Sequence, residues 1–217
     1  VYAPEQKGLR YYQTLLDSYP SREDALKAFT QAYLAGVAAV DECIGEIVDA
    51  IDSSPDPSIR DNTIIVVTSD HGWNLGEKTH WCKAAIWRDT TRVPFIVVSP
   101  GVAKAGLRNN QPISHVDIYP SLCDFAGIPK PTHLEGRSIL PLLKDQSATR
   151  DVAFLSYGPE NTAAQSERYR YIRYEDGSEE LYDHKKDPHE WTNLIGNKKH
   201  QNLAKKMRAQ VLAFQSK

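Results

Sequence analysis

The sequence predicts an α/β core followed by a small α+β subdomain, and three patterns carry that expectation. Ile64, Ile65, Val66 and Val67 form an unbroken β-branched run, the pattern of a strand covered on both faces of a sheet. Phe29, Tyr33, Val37, Val40, Ile44, Ile47 and Ile51 recur every three or four residues, which puts them on one face of a long helix. Toward the C-terminus, residues 152–157, 169–174 and 180–182 alternate in the manner of antiparallel strands, and Leu203, Met207, Val211 and Phe214 define an amphipathic closing helix.

Taken in order, Ser21 and Asp24 are candidate caps for the long helix, which is expected to cover the sheet. The break Ser53-Ser54-Pro55-Asp56-Pro57 separates it from the β-branched strand. A loop rich in polar chemistry follows, with a short helix expected around 84–88. A second strand, 95–99, ends at the turn signal Pro100-Gly101, residues 117–126 read as a helix closed by Gly127, and 138–143 as a shorter helix. Small polar residues at 144–149 mark a composition shift that divides the chain into an α/β part, 1–145, and a C-terminal subdomain, 146–217. A hairpin turn at 175–178 joins the last two predicted strands.

Composition narrows the function classes. With 217 residues, 41% hydrophobic and 25% charged, the chain is ordinary globular material. A net charge of −2 without a Lys/Arg block argues against a nucleic-acid partner held through phosphates. Three cysteines without paired spacing leave room for at most one disulfide and for no zinc site. No window approaches the length of apolar sequence that a membrane-spanning helix needs.

Ser69, Asp70, His71 and Gly72 follow the β-branched strand, at the sheet edge where open α/β folds place ligands. Asp70 offers a hard carboxylate oxygen suited to calcium or magnesium, and His71 a nitrogen that calcium rarely accepts in ordinary sites. Adjacent strand side chains point to opposite faces, so both reach one cation only where the chain turns, and Gly72 permits that turn. The alternative is Asp70 as a cap and His71 as a hydrogen-bonded structural residue. Just beyond, Glu77, Lys78, His80, Lys83, Arg88 and Asp89 are interleaved with Trp73, Trp81 and Trp87, a mixture unlike a mere connector.

The run TSDHGWNLGEKTHWCKAAIWRDTTRVPFIVVSPG resembles the late metal-site segment of the sulfatases, in particular iduronate-2-sulfatase-like members of the alkaline-phosphatase-like superfamily. Residues 114–122 (Ser114-His115-Val116-Asp117-Ile118-Tyr119-Pro120-Ser121-Leu122), 134–143 (Leu134-Glu135-Gly136-Arg137-Ser138-Ile139-Leu140-Pro141-Leu142-Leu143) and 169–174 (Tyr169-Arg170-Tyr171-Ile172-Arg173-Tyr174), the last leading to Glu180-Leu181-Tyr182-Asp183 and Asp187-Pro188, match further segments of that family in order. The resemblance implies the C-terminal part of an alkaline-phosphatase-like sulfatase core with a small α+β subdomain of antiparallel strands and a closing helix. It further implies Asp70 and His71 as calcium ligands and Lys83 in contact with the sulfate group. By the same resemblance His80 binds substrate or donates a proton to the leaving alcohol. Some members carry His where this chain has Lys78, which makes Lys78 another substrate-contact candidate. Arg168 falls in a segment that matches the pocket rim and is a candidate for recognising a sugar acid or sulfate. His115, Asp117, Asp187, Glu190 and Asn193 are expected to be structural, and Cys82 a partly buried bystander.

The resemblance covers only the C-terminal half of such an enzyme. Its formylglycine nucleophile derives from a Cys/Ser-x-Pro/Ala-x-Arg signature, and an early Asp-Asp pair also holds calcium. Both are expected on an N-terminal part outside this chain, which opens on Val1: none of Cys43, Cys82 and Cys123 has both Pro/Ala and Arg at the required offsets, and no serine is expected to supply the signature. The expectation is therefore a sulfuric ester hydrolase fragment, inactive alone, with calcium as cofactor and the N-terminal half as partner. Its substrate class is a sulfated carbohydrate or an aryl or alkyl sulfate, and a periplasmic, secreted or lysosomal location follows from the resemblance alone. Two alternatives stay open: a phosphonate or phosphate monoester hydrolase or phosphodiesterase of the same superfamily, and a non-catalytic binding or assembly module.

Overall fold

The structure is a computed structural model that describes residues 3–103, 105–158 and 160–216, with side chains from Lys7 onward in the first helix. Val1, where the chain opens, lies outside the described residues. The chain forms two compact units, Val1–Ala85 with Arg92–Pro100, and Ile86–Thr91 with Gly101–Lys217. The composition shift at 144–149 falls inside the second unit.

In the first unit, helix α1 (Ala3–Asp17) precedes α2 (Arg22–Asp52) and α3 (Pro57–Asp61). Ser21 caps α2 as expected: its backbone is extended and its hydroxyl accepts the Asp24 N–H at 3.1 Å. Asp56 does the same for α3 through Ser58 N at 2.9 Å, with Pro57 in the first turn, where its missing N–H costs nothing. Strand β1 (Ile65–Thr68) is followed by a small hairpin of β2 (Asn74–Leu75) and β3 (Trp81–Cys82), and β4 (Phe95–Val98) returns to pair antiparallel with β1, Ile65 opposite Val98. The core gathers Tyr12 and Leu15 from α1, Ala25 from α2, and Trp81, Cys82 and Ala84 around the hairpin. The Phe29 ring stands edge-on to Trp81 at 5.7 Å.

The helical period put the α2 side chains on one stripe, but the expected covering of a sheet by that stripe is not what the unit shows. Ala25 is the buried residue of α2, while Val40 is 59% exposed and Ile47 62%. The reason is size: a 31-residue helix runs about 46 Å, whereas a four-residue strand spans about 13 Å. Likewise β1 is half-buried and Ile96 of β4 is exposed, although the β-branched run reads as a strand covered on both faces. Among the described residues no helix is long and apolar enough to cross a membrane.

The second unit starts with α4 (Arg88–Thr91), which lies a turn later than the helix expected at 84–88. Tertiary partners take the backbone groups that such a helix would need: Arg170 Nη1 donates to Ile86 O at 3.0 Å, and Arg88 N–H donates to Glu190 Oε2 at 2.8 Å. Helix α5 (Ile118–Phe125) enters through a capping box of Ser114 and Asp117 and leaves through Gly127 in the left-handed region, φ 66°. Asp117 is a buried hub, its carboxylate accepting Ser114 N–H at 2.9 Å, Arg137 N–H at 2.7 Å and the Arg150 guanidinium. Both segments that meet there pass so closely that a Cβ on Gly136 would lie 1.8 Å from Val116 O. After α6 (Leu140–Lys144) comes a four-stranded antiparallel sheet, in spatial order β5 (Ala153–Tyr157), β6 (Asn161–Gln165), β7 (Tyr169–Arg173), β8 (Glu179–Asp183). Helix α7 (Gln201–Gln215) lays Ala204, Met207 and Val211 against Val152, Ala164, Tyr171 and Leu181. Strand β6 has no alternating pattern because, inside the sheet, Ala163 and Ala164 are both fully buried, so the sequence did not reveal it.

Glu190 is the other buried hub. Its carboxylate, 1% exposed, ion-pairs with Arg170 Nε at 3.0 Å and bonds His184 Nε2 at 2.7 Å, while the residue itself sits at φ 60°. Burial by itself raises the Glu190 pKa, but the Arg170 charge, the His184 hydrogen bond and the Arg88 N–H outweigh it and hold the group below its ordinary 4.5. A depressed native pKa means that this contribution is complete above the unfolded value near 4.5 and is lost as pH falls through the native one. We therefore expect Glu190→Ala, which removes a carboxylate paired with the buried Arg170 guanidinium, to lower the unfolding free energy by roughly 3–5 kcal/mol in urea titrations at neutral pH. Glu190→Gln should cost less, and the gap between wild type and Glu190→Gln should close as pH drops below the carboxylate range. Gly136→Ala should cost roughly 1–3 kcal/mol, because the obstacle is backbone and cannot rotate away; an unchanged melting temperature would contradict that contact.

Candidate functional site

Chemistry-bearing side chains of the first unit are strung along 69–83, and the local folding explains where each sits. Strand β1 ends at Thr68, and the chain turns through Ser69 to Gly72 into β2. Ser69 Oγ donates to His71 O at 2.8 Å, and His71 N–H donates to Asp70 Oδ1 at 3.0 Å, so the turn closes on itself. The hairpin pairs Asn74 with Cys82 and Leu75 with Trp81. His71 and Gly72 thus lead into one strand at the same open end from which Lys83 leaves the other.

The Asp70–His71 pair is informative in its protons. His71 Nδ1 lies 2.9 Å from Gly72 O, and a carbonyl only accepts, so Nδ1 carries the hydrogen. Nε2 then faces Asp70 Oδ2 at 3.3 Å. Either Nε2 is also protonated and the pair is an imidazolium–carboxylate bridge, or a nitrogen lone pair and a carboxylate oxygen point together, an arrangement that a cation between them relieves. Donation of the second ring N–H to a backbone carbonyl is the usual support of a metal-ligating histidine. Both groups are accessible, with Asp70 80% and the His71 ring 28% exposed. The donor set therefore fits a cation in part. Among the described residues no group of three or more His, Cys, Asp or Glu side chains gathers to complete a site, and calcium takes six to eight ligands.

Residues 76–80 close the hairpin through unusual backbone. Gly76 lies at φ 113°, Lys78 at 53° and Thr79 at 55°, and Cys82 follows at 82°. Left-handed backbone costs a non-glycine residue about 1–2 kcal/mol, and such strain gathers where a function needs a fixed shape. Gly76 N–H donates to His80 O and His80 N–H to Glu77 O, both at 3.0 Å. Lys78 is half-buried and Lys83 exposed. His80, 1% exposed, lies beneath α1: a Cβ on Gly8 would come within 1.8 Å of its ring. Cys82 is buried, and Cys43, Cys82 and Cys123 are all free thiols.

Arg168 belongs to the second unit. Its fork is bidentate to Asp183, Nε to Oδ1 at 2.7 Å and Nη2 to Oδ2 at 2.6 Å, and its guanidinium stands 4.8 Å from the Tyr169 ring centre. The Arg168 hydrogen bonds hold the Asp183 carboxyl below its ordinary range. His115 is exposed, whereas Asp117 takes part in the capping box, a structural role as expected.

Two residues, one of them in the site segment, escaped the sequence reading. Glu77 appeared only as one charge among several, yet its Oε2 accepts Leu75 N–H at 2.6 Å; the signal was a carboxylate beside a turn glycine. The expectation that no serine supplies the nucleophile signature is corrected by Ser18-Tyr19-Pro20-Ser21-Arg22, which has Pro and Arg at the required offsets. The structure gives it local duties: Ser18 Oγ donates to Thr14 O at 2.8 Å at the end of α1, and Ser21 caps α2.

Comparison with known proteins identifies the family. The chain matches the family described as "Sulfatase" over residues 6–128 and that described as "N-sulphoglucosamine sulphohydrolase, C-terminal" over 76–217. A sulfatase of Formosa agariphila is 37% identical over 200 residues, which cover 89% of this chain and 39% of that protein. A solved structure in complex with its substrate D-glucosamine-2-N,6-O-disulfate superposes with a TM-score of 0.75 at 28% identity, covering 90% of this chain and 42% of that one. The phosphonate monoester hydrolase of Agrobacterium radiobacter reaches 0.74 at 26% identity, covering 88% and 42%. The chain spans about two fifths of the length of these relatives. With both family matches extending over more than half of its residues, and an alkaline-phosphatase-like sulfatase fold behind the Asp70–His71 turn, this chain belongs to the sulfatase family.

Proposed function

We propose that this chain supplies calcium- and sulfate-binding groups to a sulfuric ester hydrolase that acts on sulfated carbohydrates. The observation that carries the reading is the Asp70–His71 turn, where Nδ1–H is committed to Gly72 O and Nε2 faces the carboxylate. Asp70 and His71 would hold calcium, which supplies positive charge to the sulfate oxygens. Lys83 leaves the hairpin at the end where His71 enters it, and its ammonium favours the transition state because negative charge grows on those oxygens as the S–O bond breaks. Lys78 and His80 lie on the same hairpin turn. His80 is the candidate proton donor to the leaving alcohol, although its ring is buried against α1 and must be uncovered to reach it.

A nucleophile and further calcium ligands belong to the remaining length of the enzyme, since two ligands do not make a calcium site. That remainder is the partner we propose. Carbohydrate as the substrate class rests on the glucosamine disulfate bound by a structural relative. Arg168 is the candidate for contact with an acidic sugar, although Asp183 occupies its fork and any ligand must use the remaining N–H groups or displace that pair.

The second reading is phosphonate or phosphate monoester hydrolysis, favoured by the likeness to the phosphonate monoester hydrolase. Side-by-side rates on an aryl sulfate and an aryl phosphonate, with the enzyme that contains this chain, decide between them; higher turnover of the phosphonate would reject the sulfatase reading. In that enzyme Lys83→Ala should reduce kcat/KM for the sulfate by about a hundredfold or more, while the melting temperature stays put because Lys83 is exposed. Asp70→Asn should weaken calcium retention, read by metal analysis after dialysis. The isolated 217-residue chain should turn over no aryl sulfate, with Ser18 unoxidised by intact mass; turnover without a second polypeptide would contradict the proposal.

A further inference from the structure

We propose that Glu77 is a positioning residue for the Asp70–His71–Lys83 site, acting through the hairpin turn rather than on substrate. The inference rests on the proposed function for its catalytic consequence and on geometry for the rest. Gly76 N–H donates to His80 O. Hydrogen bonds of an antiparallel ladder alternate in direction, so the N–H of the preceding residue, Leu75, points away from β3. Glu77 Oε2 meets that outward N–H at 2.6 Å, a short charge-assisted bond on a donor that the ladder leaves aside.

The bond spans residues on either side of Gly76, φ 113°, and so fixes the entry into the turn. Glu77 O also accepts His80 N–H at 3.0 Å and fixes the exit. Between these two tethers lie Lys78 and Thr79, both held left-handed. Without the carboxylate brace the turn is free to relax toward ordinary backbone. The register Asn74 to Cys82 and Leu75 to Trp81 then loosens, and with it the common end where His71 and Lys83 emerge. Thr79 Oγ1 donates to Lys78 O at 2.6 Å, an exposed bond that glycine at 79 gives up, and glycine adopts left-handed backbone without steric cost.

The test uses Glu77→Ala, Glu77→Gln and the double variant Glu77→Ala with Thr79→Gly in the full chain. Amide exchange is followed at Leu75, Gly76 and His80, with α7 amides as an internal reference for global opening. Glu77→Ala should speed exchange at the three hairpin amides about tenfold or more while α7 is unchanged, with Glu77→Gln between it and wild type. Thr79→Gly added to Glu77→Ala should restore most of the protection. Unchanged hairpin exchange in Glu77→Ala, equal acceleration in α7, or no rescue by Thr79→Gly would each overturn the role. In the enzyme that contains this chain, Glu77→Ala should lower kcat/KM for an aryl sulfate about tenfold, and Thr79→Gly should recover it. Unchanged kcat/KM alongside loosened exchange would overturn the positioning claim. Absence of turnover in the wild-type enzyme would instead overturn the proposed function and leave the exchange data to decide Glu77.

Discussion

Asn74–Leu75 against Trp81–Cys82 is a ladder of two residue pairs, and the first unit's chemistry depends on its staying closed. So short a ladder has little stability of its own. It is held from outside by Trp81, buried among Tyr12, Leu15 and Ala25 with Phe29 edge-on to its ring. Burying one large aromatic side chain contributes about 1.5–3 kcal/mol, the same order as the strain of one or two left-handed residues at 78 and 79. The turn can therefore be distorted only because its flanks are packed. Distortion is in turn what returns the chain within five residues, so that the strand leaving Asp70 and His71 and the strand entering Lys83 share an end.

The second unit solves a different problem with charge. Asp117 and Glu190 are buried carboxylates, and each satisfies backbone N–H groups as well as an arginine. Buried ion pairs add little net stability compared with apolar packing, but they punish any arrangement that separates them. That property suits loops: Arg137, Arg150 and Ser114 converge from separate stretches of chain on Asp117, and residues 86–91 are tied to the sheet through Arg170, Glu190 and the Trp87 bond to Glu180. Here the apolar core of α7 and the sheet provides stability, and the carboxylates provide register.

Family membership gives the local geometry its meaning. A histidine whose Nδ1–H is spent on the adjacent carbonyl and whose Nε2 faces a carboxylate occurs in many proteins as a simple ion pair. In a chain that matches sulfatases along nearly its whole length, the same pair is a candidate for metal binding. His80 and Arg168 show the limit of motif reading. A motif places them in the chain but not among their neighbours: the His80 ring lies under Gly8, and the Arg168 fork is paired with Asp183.

What the sequence determined by itself are features set by neighbours along the chain. Ser21 caps its helix because a hydroxyl three residues before an N–H reaches it whatever the surroundings. The β-branched run at 64–67, the left-handed close of α5 at Gly127 and the period of α7 are of the same kind, and so is the Asp-His-Gly turn that points to the family. Only the tertiary structure decided which apolar stripe is covered, since the period of α2 is blind to the length of its partner. It also decided that β6 is a strand, because burial on both faces erases alternation, and that the helix does not begin at 84, because Arg170 and Glu190 claim the Ile86 carbonyl and the Arg88 N–H from 84 and 102 residues away. Hydrogen bonds and contacts at that separation leave no periodic trace in the chain, so they become visible only once the backbone has folded.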